Sequence, residues 1–348
     1  MAKRIEYIDN IKGFTILLVV MGHVIANWFS SYSVVLKDDA DNQMMVWKLI
    51  YSFHMPLFMF CSGLFQPILT GESTFKDILH IIVKRFKVLI IPYFFSGGLL
   101  WLVTGRPSFY WYLLILFEFT VLVLLVSWIA NKFSRKTNII EGIIIVVLVI
   151  LLHIINTRFQ EYERLPLLDI EHLNLFFYFI LGYAVAKYKL LELILKNWLY
   201  SLCIVVFMSL FAVFDIYDYK IPLIHKLIPL TAIYAIVYYF KNFSDNSNIF
   251  YRFFNQLGKF SLEIYILHFF FLIKIPLLGE TIHHWVLNGG GGKFVFVSGI
   301  RLSLIMSLLN LLFVFLVIKI ISKSQILYRL LLGRQSKNYE NSTVKSTD

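Results

Sequence analysis

Apolar runs of about 18–20 residues recur along the whole chain, separated by short polar stretches, and each is long enough to cross a hydrocarbon core of roughly 30 Å as a helix. Helices also satisfy every backbone N–H and C=O internally, which lipid demands. The pattern predicts about ten spans, at 11–29, 46–70, 88–104, 109–131, 139–156, 172–188, 197–215, 223–240, 260–278 and 298–321. Pro56, Pro92, Pro229 and Pro276 fall inside them and predict kinks that neighbouring helices can accommodate. The expected fold is an all-α, polytopic membrane bundle. One membrane domain is expected over 1–325, followed by a polar cytoplasmic tail over 326–348. Met1 to Arg4 and the run after Ile11 faintly resemble a signal peptide, but no small-residue cleavage site follows, so this segment is expected to stay as the first span.

Composition agrees. Hydrophobic residues make up 59% of the 348 and charged residues 15%, against about 45–50% and 25% in soluble domains. The net charge of +11 would raise nucleic acid as a partner in a soluble protein. Here the cations sit between spans, so topology explains them and nucleic-acid binding is excluded. Cys61 and Cys203 each lie in an apolar run and offer no metal-ligand spacing.

The distribution of Lys and Arg sets the orientation. With the N-terminus inside, inner segments carry clusters such as Lys84, Arg85 and Lys87, or Lys132, Arg135 and Lys136. The outer loops hold only Lys37, Arg106, Arg158, Arg164, Lys220 and Lys293. Both termini are therefore expected in the cytoplasm. Gly289 to Gly292 predict a flexible outer loop.

Ionisable side chains at membrane depth are costly and mark candidate sites. His23, His54, Glu118, His153, Glu263, His268 and Lys274 are such residues. Lys12 and His23 are eleven residues apart, which puts them on one helical stripe roughly 16 Å apart along the axis. A cation at the inner mouth leading to a deep imidazole suits a long ligand with an anionic head. Gly22 leaves room beside the ring. In the second span His54, Pro56, Ser62 and Gly63 suggest a cavity, although small residues alone would mean helix packing. Lys84, Arg85 and Lys87 read equally well as topology cations and as a rim for phosphates. Ser261, Tyr265 and His268 fall at i, i+4 and i+7 and share one polar face.

These segments resemble the acyltransferase family 3 membrane proteins, bacterial O-acyltransferases that modify surface carbohydrates. The likeness rests on Lys12-x10-His23 with Asp9 and Gly13, on Phe58 to Leu64 with Ser62-Gly63, and on Lys84-Arg85 through Pro92-Tyr93. It continues through Trp111-Tyr112, Phe177 to Gly182, and Gly258-Lys259 with Ser261, Tyr265 and His268. The order is kept from residue 4 to 275, in the style of the subgroup named for fucose 4-O-acetylases. Two departures stand out. Lys12 replaces a common Arg, so a bidentate phosphate contact is lost. The Arg-x-x-Arg pattern is reduced to Arg85 flanked by Lys84 and Lys87.

The resemblance implies an acetyl (acyl) transfer from cytosolic acetyl-CoA to a hydroxyl of a cell-surface or lipid-linked carbohydrate, in the bacterial cell membrane. Acyl-CoA is then a donor substrate, with no permanently bound cofactor and no metal. Lys12, Lys84, Arg85, Lys87, Trp111 and Tyr112 would hold it. His23 would be the base or the transient acyl carrier, with Asp9 supporting Lys12. His54, Ser62, Tyr265 and His268 would orient the acceptor or stabilise the oxyanion. The expected partners are acyl-CoA, a carbohydrate or glycolipid acceptor and the bilayer, within a homo-oligomer or a polysaccharide assembly complex. Two rivals stay open: a transporter or flippase for a lipid-linked sugar, with His and Glu as a proton relay, and a structural partner in polysaccharide assembly.

Overall fold

The computed structural model describes residues 6–29, 40–105, 110–133, 137–159, 170–217, 222–245, 247–272 and 293–335. Helix is the only regular secondary structure among them. In chain order the helices are α1 (Glu6–Phe29), α2 (Ala40–Leu64), α3 (Phe75–Thr104), α4 (Trp111–Phe133), α5 (Thr137–Phe159), α6 (Phe176–Lys187), α7 (Leu191–Ile194), α8 (Asn197–Tyr217) and α9 (Pro222–Phe243). They continue with α10 (Ile249–Lys259), α11 (Ser261–Leu267), α12 (Lys293–Ile321) and α13 (Gln325–Leu332). Short 3-10 turns cover Ile170–Leu175 and His268–Phe271.

Each expected span falls at least in part on helix among the described residues, and the all-α class holds. Among the described residues, four helical stretches are long and apolar enough to cross a membrane by themselves: Glu6–Asn27, Phe75–Thr104, Trp111–Lys132 and Ser303–Ile321. Large apolar side chains face outward along several helices, among them Leu102, Ile143, Val205, Met208, Leu312 and Ile320. An exposed surface of this kind needs a lipid solvent.

Several boundaries differ from the sequence expectation. α1 starts five residues before position 11, which brings Asp9 and Asn10 into the helix. α2 ends at Leu64, short of 70, and α3 begins at Phe75, well before 88. Thr74 starts α3 early: its hydroxyl accepts from the Asp77 N–H, and Asp77 accepts from the Thr74 N–H. Lys76, Lys84, Arg85 and Lys87 are thus helical rather than in a connecting loop. The ninth span is interrupted at Phe260, whose φ of −110° and ψ of 17° separate α10 from α11. The last part of that expected span, with Lys274 and Pro276, lies outside the described residues, as does the Gly289 to Gly292 stretch. Within the segment expected as a polar tail, α13 is an amphipathic helix with Tyr328, Leu331 and Leu332 buried. Ser324 caps its start and Gly333, at φ 66°, ends it.

The chain divides into two compact units. The first comprises Met1–Phe58 with Leu195–Ile318, the second Met59–Ile194 with Lys319–Asp348. In the first, α1 lies along α10 and also meets α9 and α11, while α8 and α9 form a hairpin. Phe14 packs against Phe240 and Phe254 at 5.8 Å between ring centroids. In the second, α4 contacts α3 and α5, α5 contacts α6, and α13 lies on α3.

Each unit contains a crossing built on two reciprocal glycines. A Cβ on Gly13 of α1 would stand 1.8 Å from the Phe254 carbonyl oxygen of α10, and one on Gly258 of α10 would stand 1.8 Å from that of Asp9. In the second unit a Cβ on Gly63 of α2 would stand 1.9 Å from the Phe179 carbonyl oxygen of α6, and one on Gly182 of α6 would stand 2.1 Å from that of Phe60. Only a residue without a side chain lets the backbones approach this closely.

Candidate functional site

In the first unit, three histidines distant in sequence converge. α1 is one unbroken helix from Glu6 to Phe29, so Lys12 and His23 do share a stripe. The His23 ring lies 5.2 Å from that of His268 and 4.7 Å from that of Phe269, centroid to centroid. His54 is within electrostatic reach of His23. Tyr51 packs edge-on to His54 at 4.6 Å and stacks on Trp47 at 4.1 Å. Gly22 sits under Tyr51: a Cβ there would meet the Tyr51 ring at 2.8 Å. Gly22 therefore makes room for an aromatic wall beside His23. Tyr265 comes within 6.0 Å of His268, ring to ring. Ser261, Tyr265 and His268 are all buried on this side of α11 and its turn.

The hydrogen bonds fix two of the three imidazole tautomers. His54 Nδ1 lies 2.8 Å from the Ile50 carbonyl and His268 Nδ1 lies 3.0 Å from the Ile264 carbonyl. A carbonyl can only accept, so each Nδ1 carries the proton. Each neutral ring then presents Nε2 as a lone pair. This suits accepting from a hydroxyl better than donating to an oxyanion. His23, by contrast, is half-buried and makes no hydrogen bond to a described residue. Among the described residues, no group of three His, Cys, Asp or Glu is arranged to hold a metal ion.

Asp9 is buried at the α1–α10 crossing, and Lys12 is half-buried one turn further along α1. The other expected intramembrane groups diverge. Glu263 is buried within α11, whereas His153 is exposed on α5.

The second unit gathers most of the remaining candidates. The Ser62 and Tyr112 hydroxyls are 2.8 Å apart. Arg85 donates from Nη2 to the Phe65 carbonyl at 3.3 Å and is in electrostatic contact with Tyr112 and Arg334. Lys84 and Lys87 are exposed on neighbouring faces of α3. One face of the Trp111 indole is occupied, because His172 stacks on it at 3.7 Å with a 10° tilt.

Sequence reading missed a buried ionic network in this unit. Glu141 of α5 accepts from Ser127 at 2.9 Å and from Tyr183 at 2.8 Å, and pairs with Lys187. A carboxylate in the first turns of an apolar helix was the available signal, since it needs a cation. Lys187 was disguised as one of the cations that set topology. The buried polar face of α12, carrying Ser303, Ser307 and Asn310, was also missed.

Outward-facing apolar helices around buried polar networks define an integral membrane protein. The family model described as "Acyltransferase domain" matches residues 5–324, and the chain belongs to that acyltransferase family. It is also similar to the nodulation protein NolL of Mesorhizobium japonicum, 33% identical over 101 residues. That match takes in 29% of this chain and 25% of the relative's length. No solved structure matches the chain.

Proposed function

We propose that the protein transfers an acetyl group from cytosolic acetyl-CoA to a hydroxyl of a cell-surface or lipid-linked carbohydrate, in a bacterial cell membrane. The observation that carries this reading is the convergence of His23 of α1, His54 of α2 and His268 of the turn after α11 in an acyltransferase-family chain. A sugar hydroxyl is almost wholly protonated at neutral pH and attacks a thioester poorly. His23 removes its proton as the oxygen attacks the thioester carbonyl. The C–S bond then breaks, the ester forms, and the imidazolium returns the proton to the departing thiolate. His54 and His268, held as Nδ1–H tautomers, orient the hydroxyl through Nε2.

Two cationic surfaces are the candidates for the donor's phosphates. One is Lys12, on the His23 stripe of α1. The other is Arg85, with Lys84 and Lys87 on α3 and Tyr112 beside it. A lysine offers a point charge rather than a bidentate fork. Lys12→Arg is therefore expected to keep more affinity for coenzyme A than Lys12→Ala. Binding of coenzyme A to the purified protein in nanodiscs checks this. Unchanged affinity in Lys12→Ala removes Lys12 from the donor site, and unchanged affinity in Arg85→Gln does the same for Arg85.

A further inference from the structure

Two buried polar atoms on the contact between α12 and the His268–Phe271 turn have no hydrogen-bond partner among the described residues, and both are hydrogen-bond acceptors. His268 is fully buried, and its Nδ1 proton is committed to the Ile264 carbonyl, so the orphaned Nε2 is a lone pair. Asn310 is 2% exposed and donates from Nδ2 to the His268 carbonyl at 2.9 Å. That bond fixes the amide orientation, so the orphaned Oδ1 is also an acceptor. The two atoms come from different elements and are tied together through one hydrogen bond. Ser303, Ser307 and Asn310 lie at i, i+4 and i+7 and make this face of α12 polar where lipid-facing neighbours are apolar. Buried acceptors left unmade are costly, and a pair of them marks the place of a missing donor.

We infer that this pair seats the acceptor alcohol: one hydroxyl donates to His268 Nε2 and another hydroxyl of the same polyol donates to Asn310 Oδ1. This rests on the acyltransferase reading and deepens it by naming Asn310 as an acceptor-binding residue. The chemistry discriminates. A thioester carbonyl and phosphates carry only lone pairs and cannot satisfy two acceptors, whereas a carbohydrate presents several O–H donors. The His23 ring, 5.2 Å from that of His268, is then next to the hydroxyl that reacts. The donor's pantetheine amides are the rival source of N–H groups, and water is the other.

The test compares wild type, a deletion, His23→Ala, Asn310→Leu and His268→Gln. It reads the O-acetyl content of the purified surface glycan by NMR at matched membrane levels. It also reads coenzyme A affinity of each purified protein in nanodiscs. Asn310→Leu is expected to lower ester content about tenfold, the equivalent of one lost hydrogen bond, with coenzyme A affinity within about twofold of wild type. His268→Gln keeps an acceptor oxygen in place of the Nε2 lone pair. It is expected to retain coenzyme A affinity and to keep more ester than Asn310→Leu. Wild-type ester content in Asn310→Leu means the two atoms hold only water, and the inference falls. Parallel loss of ester and coenzyme A affinity assigns the pair to the pantetheine arm or to folding, which also overturns it. Should Asn310→Leu fail to accumulate, Asn310→Thr is read by the same two measurements. If the deletion itself leaves every acetyl signal in place, the acyltransferase reading fails, and this inference with it.

Discussion

Replacing Gly63 with Ala tests whether the glycines of the most recognisable sequence motifs serve packing. The new Cβ would stand 1.9 Å from the Phe179 carbonyl oxygen and 2.9 Å from the Tyr183 nitrogen. A carbon–oxygen contact needs about 3.3 Å, so the α2 and α6 backbones must part by roughly 1.4 Å. A gap of that size forfeits half or more of the dispersion energy at the crossing. Overpacking typically costs about 1–3 kcal/mol, and the upper end applies because backbone rather than a side-chain tip must yield. Alanine returns about 0.5–1 kcal/mol through its better helix propensity. The net loss is about 2 kcal/mol, or roughly 3 °C in melting temperature at about 2.1 cal/mol/K of unfolding entropy per residue. Gly98→Ala and Gly142→Ala are the controls, since a Cβ on either meets nothing within 4 Å. Melting of the purified proteins in one detergent, followed by thiol-reactive fluorescence or by loss of the monodisperse peak, gives the comparison. Gly63→Ala and Gly182→Ala should both melt early, and the double variant should lose less than their sum because both widen one crossing. A Gly63→Ala protein that melts with the Gly98→Ala control would refute this account of the motif.

Removing one partner of the Glu141–Lys187 pair leaves a buried charge, so Lys187→Met is expected to lose about 3–5 kcal/mol of stability. Glu141→Leu combined with Lys187→Met should recover most of it, read by the same melting assay. Tyr183→Phe removes one hydrogen bond to the carboxylate and should cost about 1.5–3 kcal/mol, as bonds to charged groups do. Tyr112→Phe removes the hydroxyl that lies 2.8 Å from that of Ser62, and it is expected to lower coenzyme A affinity in the same direction as Arg85→Gln. Titrating coenzyme A into Tyr112→Phe and Arg85→Gln side by side checks the dependence.

Much of the fold was legible because lipid imposes a simple rule: long apolar runs must be helices. The boundaries were less so. Capping by Thr74 and Asp77 starts α3 inside a stretch that reads as a polar loop, and the break at Phe260 has no Gly or Pro at the residue itself. His23, His54 and His268 were each visible as an imidazole in an apolar run. Their convergence was not, because periodicity places residues on faces and not helices beside one another. The motif glycines were legible as signatures but not as reciprocal crossings, since Gly13 and Gly258 meet across more than two hundred residues of chain. Asn310 escaped notice because a neutral amide among serines looks like ordinary helix packing. Its significance lies in the orphaned oxygen, which only the three-dimensional hydrogen bonds reveal.

The central claim is that His23 lies at the centre of an acetyl transfer to carbohydrate. The most direct measurement is the O-acetyl content of the native surface glycan, by NMR, in cells carrying wild type, a deletion or His23→Ala at matched membrane levels. Loss of the same acetyl signal in the deletion and in His23→Ala is the predicted result, and the position of that signal names the acceptor hydroxyl. An unchanged acetyl pattern with the glycan missing from the surface would contradict it and point to transport of a lipid-linked sugar.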